Sequence, residues 1–328
     1  MSHADDLRWL SAAAALATRG RPLSRPNPAV GAIIVNRGKV VGRGWTQPGG
    51  RPHAEAVALD SAGDAAQGAT IYVTLEPCAH ASARGPTCTD LLAASGIARA
   101  VVGVSDPDPR TSGTGIARLR EAGIAVDLID HVPSRNSLAG YLLRRSENRP
   151  HVTLKLASSL DGCIALADGT SQWITGEAAR AHSHAMRAQA DAILVGGETL
   201  RTDSPGLDVR LPGLAARSPQ RWVLTHGTAP DGWQALSDPG QLGKAMPEAQ
   251  YLFVEGGAGA AAAFLASDLV DSLLIYRAPI VIGGGRAGIG DIGLKSLGDA
   301  HDRWQPVDRR QLGKDVLEVY ERRRCSPE

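Results

Sequence analysis

The sequence predicts an α/β protein made of two α/β patterns in series. Three observations carry this. Helix-like and strand-like segments alternate from the N-terminus to about residue 145 and again from residue 151. A junction ending at Pro150 separates the two runs. A chain of 328 residues is long for one hydrophobic core and suits two. The expected domains are residues 1–147 and 148–328, with the boundary near 146 to 150.

The elements follow in order. "DDLRWLSAAAALATRG" puts Leu7, Leu10, Ala14 and Ala17 on one face and stops at Gly20, an amphipathic helix. "AVGAIIVNRGKVVGRGW" is two β-branched runs around Asn36-Arg37-Gly38-Lys39, a hairpin. A helix follows His53. "ATIYVTL", "RAVVGVS" and "IAVDLI" are strands, separated by helices at "CTDLLAASG" and "GIARLREAG", the latter closed by Gly123. This order implies a layered domain with a partly parallel sheet. One helix, "SRNSLAGYLLRRSENRP", leads to Pro150. In the second half "HVTLKLASSLDG", "DAILVGG", "RWVLTH", "YLFVEGG" and "SLLIYRAPIVIGGG" read as strands, and "GEAARAHSHAMRAQ" as a helix. Residues 205 to 220, with Pro205, Pro212 and Pro219, read as a loop.

Composition excludes several classes. Hydrophobic residues make up 43% and charged residues 21%, ordinary for a globular protein. A net charge of +1 provides no field for nucleic acid or an acidic membrane surface, and 4% aromatics provide no base-stacking platform. The N-terminus lacks a basic n-region, and apolar runs break well before 18 residues, so neither a signal peptide nor a membrane span is expected. A cytoplasmic location follows from this reading. The four cysteines are Cys78, Cys88, Cys163 and Cys325; two lie near one another, which suggests a metal more than a bridge.

The chemistry begins at "RPHAEAVALD", residues 51 to 60, which sets His53 and Glu55 at a helix start. "TLEPCAHASARGPTCTD" then places Cys78 after a strand and Cys88 ten residues on. One His and two Cys make a three-ligand zinc set with the fourth position kept for water, whose pKa the metal lowers. Glu55 can take that proton and pass it to a leaving amine. H-x-E with P-C-x-x-C is the zinc deaminase signature; here the second Cys departs from the short C-x-x-C, which points away from cytidine, guanine and tRNA adenosine deaminases. Any one of these residues alone is better read as packing; together they favour zinc. A structural zinc is disfavoured because spacing fixes no fourth ligand, His80 being the one candidate.

The second half offers "VGGETL" and "VEGGAGAAAAF", each a glycine turn between a strand and a helix. Such turns present backbone N–H groups to an anion, and two of them suggest a dinucleotide's phosphates. Neither fits G-x-G-x-x-G, so a Rossmann domain is a weak reading. Glycines serving only tight turns is the plainer reading of either one alone.

The H-A-E and T-L-E-P-C motifs, the long spacing between the cysteines, "NPAVGAIIV" and "SDPDPR" together resemble the bifunctional deaminase/reductase family of riboflavin biosynthesis, over almost the whole chain. The resemblance implies a cytidine-deaminase-like three-layer domain followed by a dihydrofolate-reductase-like α/β domain. It implies zinc on His53, Cys78 and Cys88, with Glu55 as proton shuttle. It implies that Asn27, His80, Arg84, Asp106 and Asp108 contact a diaminopyrimidine ribotide. In the second half it implies NADPH near Ala157, Trp173, Thr199, Asp203, Gly256, Gly257 and Gly259. Ser171, Arg187, Leu207, Arg210 and Glu255 would face the substrate. Lys155 and Asp203 complete the catalytic set. Arg187 and Arg210 suit a phosphate clamp, since guanidinium forks match phosphate geometry.

Departures are Thr46 where some members carry His, Asp108 where Asn is common, and "LTHG" with His226 where Ser is more frequent. The loop between Cys78 and Cys88 also looks one residue longer than usual. The expected activity is zinc-dependent hydrolytic deamination of 2,5-diamino-6-ribosylamino-4(3H)-pyrimidinone 5′-phosphate, then NADPH-dependent reduction of the ribosyl side chain to ribityl. The alternatives are a zinc nucleobase deaminase with a non-reducing nucleotide-binding half, and a binding protein with no need of Glu55. The expected partner is a small molecule, with no nucleic acid and no membrane. Whether the chain forms a homo-oligomer is not set by the sequence.

Overall fold

The first helix, α1 (His3–Ala17), opens with a reciprocal cap. The Ser2 hydroxyl accepts from the Asp5 N–H, and the Asp5 carboxylate accepts from the Ser2 N–H. The chain is described here by a computed structural model over residues 2–80 and 84–323, so Cys325 lies outside the described residues. Two units result, Met1–Asn148 and Arg149–Glu328.

In the first unit, β1 (Gly31–Asn36) and β2 (Lys39–Trp45) form the expected hairpin. Its two-residue turn has Arg37 at φ 48° and Gly38 at φ 76°, the left-handed pair that matches strand twist. Then come α2 (Ala54–Ala62), β3 (Thr70–Val73), α3 (Cys88–Ala94), β4 (Arg99–Val102), α4 (Thr114–Glu121) and β5 (Ala125–Leu128). The sheet order is β2-β1-β3-β4-β5; β1 is antiparallel to both neighbours, and β3, β4 and β5 are parallel.

Strand alternation sorts the core into two layers. Ala32 and Ile34 join Ala54 and Ala58 of α2 on one face, while Ile33 and Val35 join Leu10 and Ala13 of α1 on the other. Both helices lie very close. A Cβ on Gly31 would sit 2.0 Å from the Ala13 carbonyl oxygen, and one on Gly44 would sit 2.1 Å from that of Ala54. The small residues of "SAAAALA" and "AVGAIIV" are what let helix and strand backbones approach.

The single helix expected over 134–150 is two, α5 (Val132–Ser137) and α6 (Ala139–Glu147), broken at Leu138. The Ser137 hydroxyl donates back to the Ser134 carbonyl, and Arg21 takes the carbonyls of Asn136 and Ser137, so that turn is capped early.

The second unit runs β6 (His151–Ser158), β7 (Cys163–Ala165), α7 (Glu177–Arg187), β8 (Ala192–Gly196), α8 (Gly197–Asp203), β9 (Gln220–Leu224) and β10 (Gln234–Leu236). It continues with α9 (Leu242–Ala245), β11 (Tyr251–Val254), α10 (Ala258–Ala266), β12 (Ser272–Arg277), β13 (Arg286–Ala287), β14 (Trp304–Leu312) and β15 (Asp315–Arg322). The main sheet is ordered β10-β9-β8-β11-β6-β12-β15-β14, parallel from β10 to β12 and antiparallel beyond.

One further expectation is corrected. "SLLIYRAPIVIGGG" is a strand only to Arg277. Pro279 has no N–H to donate, and the Ile282 and Gly283 N–H groups turn instead to the Asp161 carboxylate. The β14–β15 hairpin was not anticipated. β14, at the sheet edge, is mostly exposed and polar, so its apolar alternation is faint. Among the described residues no helix is long and apolar enough to cross a membrane.

Arg149 enters the second unit as a buried cation. Its guanidinium makes paired bonds of 2.8 and 2.9 Å to Asp271, which also accepts from the Val152 N–H at 2.8 Å. Burial alone would raise the Asp271 carboxyl, but Arg149 and its neighbours outweigh it and hold it below the usual range. A carboxyl with a depressed folded pKa adds stability above its unfolded value of about 4 and loses it as pH falls through the folded value. Stability of this unit should therefore fall in acid below about pH 4. Asp271→Asn leaves Arg149 buried without a counter-charge and should cost about 3–5 kcal/mol at neutral pH, with a shallower acid limb. Urea unfolding across pH measures both; a variant with the parental midpoint and slope would remove the pair from the stability of this unit.

Candidate active sites

In the first unit two helix starts meet. His53 is the N-cap residue of α2, with extended backbone at φ −71° and ψ 162°. Thr87 caps α3 by accepting from the Asp90 N–H, so that helix begins on Cys88. The His53 Nδ1 lies 3.3 Å from the Cys88 Sγ and 3.5 Å from the Cys78 Sγ, and the Cys88 N–H points at the Cys78 Sγ at 3.4 Å. All three ligand atoms fall within 4.8 Å of one another. Tetrahedral zinc with bonds of about 2.0–2.3 Å needs donors spaced in this way. The Cys88 thiol, followed by His53, pulls Cys78 down to about 4, while Cys78 and burial push Cys88 up. The pair thus favours one thiolate, and a cation with the positive ends of two helices favours the second.

Glu55 stands beside this cluster in the first turn of α2, 3% exposed. Burial raises its carboxyl, with His53 acting against the rise. A carboxyl so placed can hold a proton without being a ligand.

Around the cluster, the Asn27 Nδ2 reaches the Gly50 carbonyl at 3.0 Å and the His53 Nε2 at 3.4 Å. Arg84 donates to the Gly49 carbonyl at 2.7 Å, and the His80 Nδ1 meets the Thr111 hydroxyl at 3.2 Å. Asp106 accepts from the Tyr141 hydroxyl at 2.8 Å. Asp108 is paired with Arg110 at 2.6 Å and Arg145 at 2.5 Å, so the carboxylate at this position comes with its own cations. Thr46 is buried, and its hydroxyl accepts from the Val30 N–H at 2.9 Å, closing the hairpin. Tyr141 and Arg145, one helical turn apart, were not singled out by sequence; only the i, i+4 spacing hinted that they share a face.

In the second unit the chain leaves β8 toward β9 and leaves β11 in the opposite direction toward β12. The crevice at the carboxyl ends of β8 and β11 is therefore a topological switch point, where α/β sheets bind ligands. The two glycine turns meet there. A Cβ on Gly257 would lie 3.1 Å from the Thr199 hydroxyl, and one on Gly196 would lie 3.3 Å from the Ala260 Cβ. A Cβ on Gly256 would fall 2.6 Å from the Ala260 Cβ, whereas one on Gly259 would meet nothing within 4 Å.

Glu255, just after β11, accepts from Arg187 at 2.5 and 3.0 Å and lies 3.5 Å from the Lys155 Nζ. Burial would raise Glu255, but Lys155 and Arg187 outweigh it and hold it ionised. Lys155 also sits 6.0 Å above the ring of Tyr276, whose hydroxyl contacts the His182 Nδ1 at 2.8 Å, a pair the sequence did not reveal. Arg187 also donates to the Asp208 carbonyl at 2.9 Å, and the exposed Arg210 pairs with the Asp208 carboxylate at 2.9 Å. Of the two expected clamp residues, Arg187 is thus already engaged and Arg210 keeps an open face. Leu207 is buried at φ 51°, a left-handed strain of about 1–3 kcal/mol for a branched residue.

Ala157 lies on β6, Ser171 is half-buried, and Asp203 is exposed at the end of α8. Trp173 is exposed under Arg180 at 4.8 Å and lines a cleft of about 820 Å³ with Thr175, Ile280 and Lys314. The lining of this cleft does not include Lys155 or Glu255, so the cleft is not the crevice at the switch point. His226 is exposed past the end of β9.

The metal geometry has a direct test. Purified chain should hold about one zinc, and Cys78→Ser should lose it, since a hydroxyl is a far weaker zinc donor than a thiolate. Full zinc in both Cys78→Ser and Cys88→Ser, by elemental analysis, would rule out this ligand set.

Comparison with known proteins accounts for both halves. Residues 3–104 match the model for the cytidine and deoxycytidylate deaminase zinc-binding region, and residues 150–238 and 241–317 match the RibD C-terminal domain. The riboflavin biosynthesis protein RibD of Aquifex aeolicus is 36% identical over 97% of this chain and 98% of the relative. The Acinetobacter baumannii RibD structure, form 1, covers 98% of this chain and 99% of its own at 32% identity and a TM-score of 0.84. A Thermotoga maritima structure, described as a diaminohydroxyphosphoribosylaminopyrimidine deaminase/5-amino-6-(5-phosphoribosylamino)uracil reductase, is 29% identical over 98% of this chain and 99% of its own, with a TM-score of 0.86. A zinc-type deaminase half and a reductase half in one chain, matched along nearly their full length, mean that this chain belongs to the RibD family of riboflavin biosynthesis proteins.

Proposed function

We propose that the chain performs two consecutive steps on one pyrimidine ribotide: hydrolytic removal of the 2-amino group in the first unit, then reduction of the ribosyl side chain to ribityl in the second. The observation that carries this reading is the pairing in one chain of the His53–Cys78–Cys88 cluster, Glu55 beside it, with a Lys155–Glu255–Arg187 group at a switch point. The cofactors are zinc and NADPH. The substrate is a small molecule; a cytoplasmic location and the absence of a nucleic-acid partner belong to the same reading, the latter supported by the net charge of +1.

His53, Cys78 and Cys88 would hold zinc, which supplies a Lewis acid that acidifies a water. Glu55 takes a proton and returns it to the departing amine, and its burial keeps competing water away. Asn27, His80, Arg84, Asp106 and Asp108 orient the ring and its substituents. NADPH, when bound by the glycine turns with Ala157, Thr199 and Asp203, supplies the reducing equivalent, and Trp173, in its separate cleft, has no part in this reading. Lys155, held 3.5 Å from Glu255, donates a proton to the ribosyl oxygen. Ser171 and Leu207 line the ribotide, and Arg210 reads its phosphate while Arg187 orders Glu255 and the Asp208 backbone.

Two outcomes test the reading. Glu55→Gln keeps size and polarity but cannot carry the proton. It should lose about 10²–10⁴-fold in deamination while keeping zinc and NADPH-dependent reduction of supplied deaminated ribotide. Loss of both activities in a folded, zinc-loaded variant would mean the steps are not carried by separate sites. Arg210→Ala should raise the reductase KM for the phosphorylated substrate by roughly 10- to 100-fold, the range of hydrogen bonds to charged groups. The dephosphorylated analogue should change little; equal changes for both would take the phosphate away from Arg210.

A further inference from the structure

We infer that Glu76 is a positioning residue for the deamination site, fixing the loop that carries Asp106 and Asp108 against the segment that carries Cys78. This rests on the functional reading above, in which that loop touches the ribotide. Glu76 is 3% exposed and lies outside the His53–Cys78–Cys88 cluster. Its Oε2 accepts from the Ser105 hydroxyl at 2.9 Å and from the Asp106 and Gly113 N–H groups at 3.2 Å each. Its Oε1 accepts from the Ile116 N–H at 3.1 Å, and its own N–H donates to the Val104 carbonyl at 2.9 Å. The one carboxylate therefore pins both ends of the 105–113 loop and the first turn of α4.

The fit is close. A Cβ on Gly115 would fall 2.2 Å from the Pro77 carbonyl oxygen and 3.1 Å from the Glu76 Cγ. Within the pinned loop, Asp106 takes the Asp108 N–H, and Thr111 holds the His80 ring. Three proposed substrate contacts, His80, Asp106 and Asp108, thus share one anchor.

Every group around the Glu76 carboxylate is a donor, and a carboxylate offers acceptors only. Glutamine is the same size but turns an NH₂ toward N–H groups that need an acceptor, which leaves buried donors unmet. The Cys78 segment has further ties of its own: the Cys78 carbonyl accepts from Thr89 and the Ala79 carbonyl from Arg118 at 2.7 Å. Loss of Glu76 should therefore loosen the substrate loop and leave the metal cluster in place.

The experiment compares the full-length parent, Glu76→Gln, Ser105→Ala and Leu119→Ala. It measures zinc per chain, NADPH-dependent reduction of supplied deaminated ribotide, and deaminase kcat and KM on the diaminopyrimidine ribotide. Leu119→Ala opens a hole under the same helix, where Leu119 is fully buried, without touching the carboxylate. Glu76→Gln should keep zinc and reduction, and raise the deaminase KM at least about tenfold with a smaller fall in kcat. Ser105→Ala should move KM the same way by less, and Leu119→Ala should lower thermal stability and leave KM alone. A parental KM in zinc-loaded Glu76→Gln overturns the inference, as does an equal KM rise in Leu119→Ala. If Glu76→Gln does not fold, Ser105→Ala decides, and a parental KM there overturns it. A parent that does not deaminate the ribotide sinks the functional reading itself, and this inference with it.

Discussion

A carboxylate taken out of water has to be given donors or cations, and the cost of failing to do so is several kcal/mol. In this chain that requirement organises both units. Glu76 gathers backbone N–H groups from the 105–113 loop and α4. Asp108 is met by Arg110 and Arg145, Glu255 by Arg187 and Lys155, and Asp271 by Arg149. Apart from Asp108–Arg110, which lie two residues apart, these pairings join segments far apart in sequence. Glu55 differs from these: it is buried beside the sulfurs of Cys78 and Cys88, and burial raises its carboxyl against the pull of His53. That contrast separates a carboxylate that holds structure from one suited to carrying a proton.

Close backbone approach is the second constraint. In the first unit Gly31 and Gly44 let α1 and α2 lie against opposite faces of the hairpin, which brings the start of α2, and so His53, to the end of β3 where Cys78 follows. In the second unit Gly196 and Gly257 let two βα turns meet at the reversal of strand order. The chemistry in both units thus sits at helix starts, where unsatisfied N–H groups and the helix dipole favour negative charge. Thiolates use that field in the first unit, and it suits phosphates in the second.

Arg187 shows how tertiary context changes a sensible expectation. A lone arginine near a phosphate substrate reads as a clamp. Here its Nε and Nη2 close on Glu255, and its Nη1 holds the Asp208 carbonyl. Asp108, where the resemblance leads to an expectation of asparagine, is met by two arginines. The residue type alone would suggest an added negative charge at the site; with its two arginine partners the group is a net cation.

What the sequence by itself determined was local. Turn chemistry at Arg37-Gly38, the β-branched runs, the alanine helices and the H-A-E and T-L-E-P-C motifs are written within short windows, because helix and strand periods and ligand spacing act over a few residues. The family resemblance, with zinc and NADPH, also rested on such windows. The tertiary structure decided what depends on distant partners. It ended β12 at Arg277 by turning Ile282 and Gly283 toward Asp161, and it broke the α5–α6 helix where Arg21 captures its carbonyls. It added the polar β14–β15 hairpin, and gave Glu76, Tyr141 and Tyr276 their partners. A buried polar group is defined by who satisfies it, and in this chain those partners come from segments that no local pattern links.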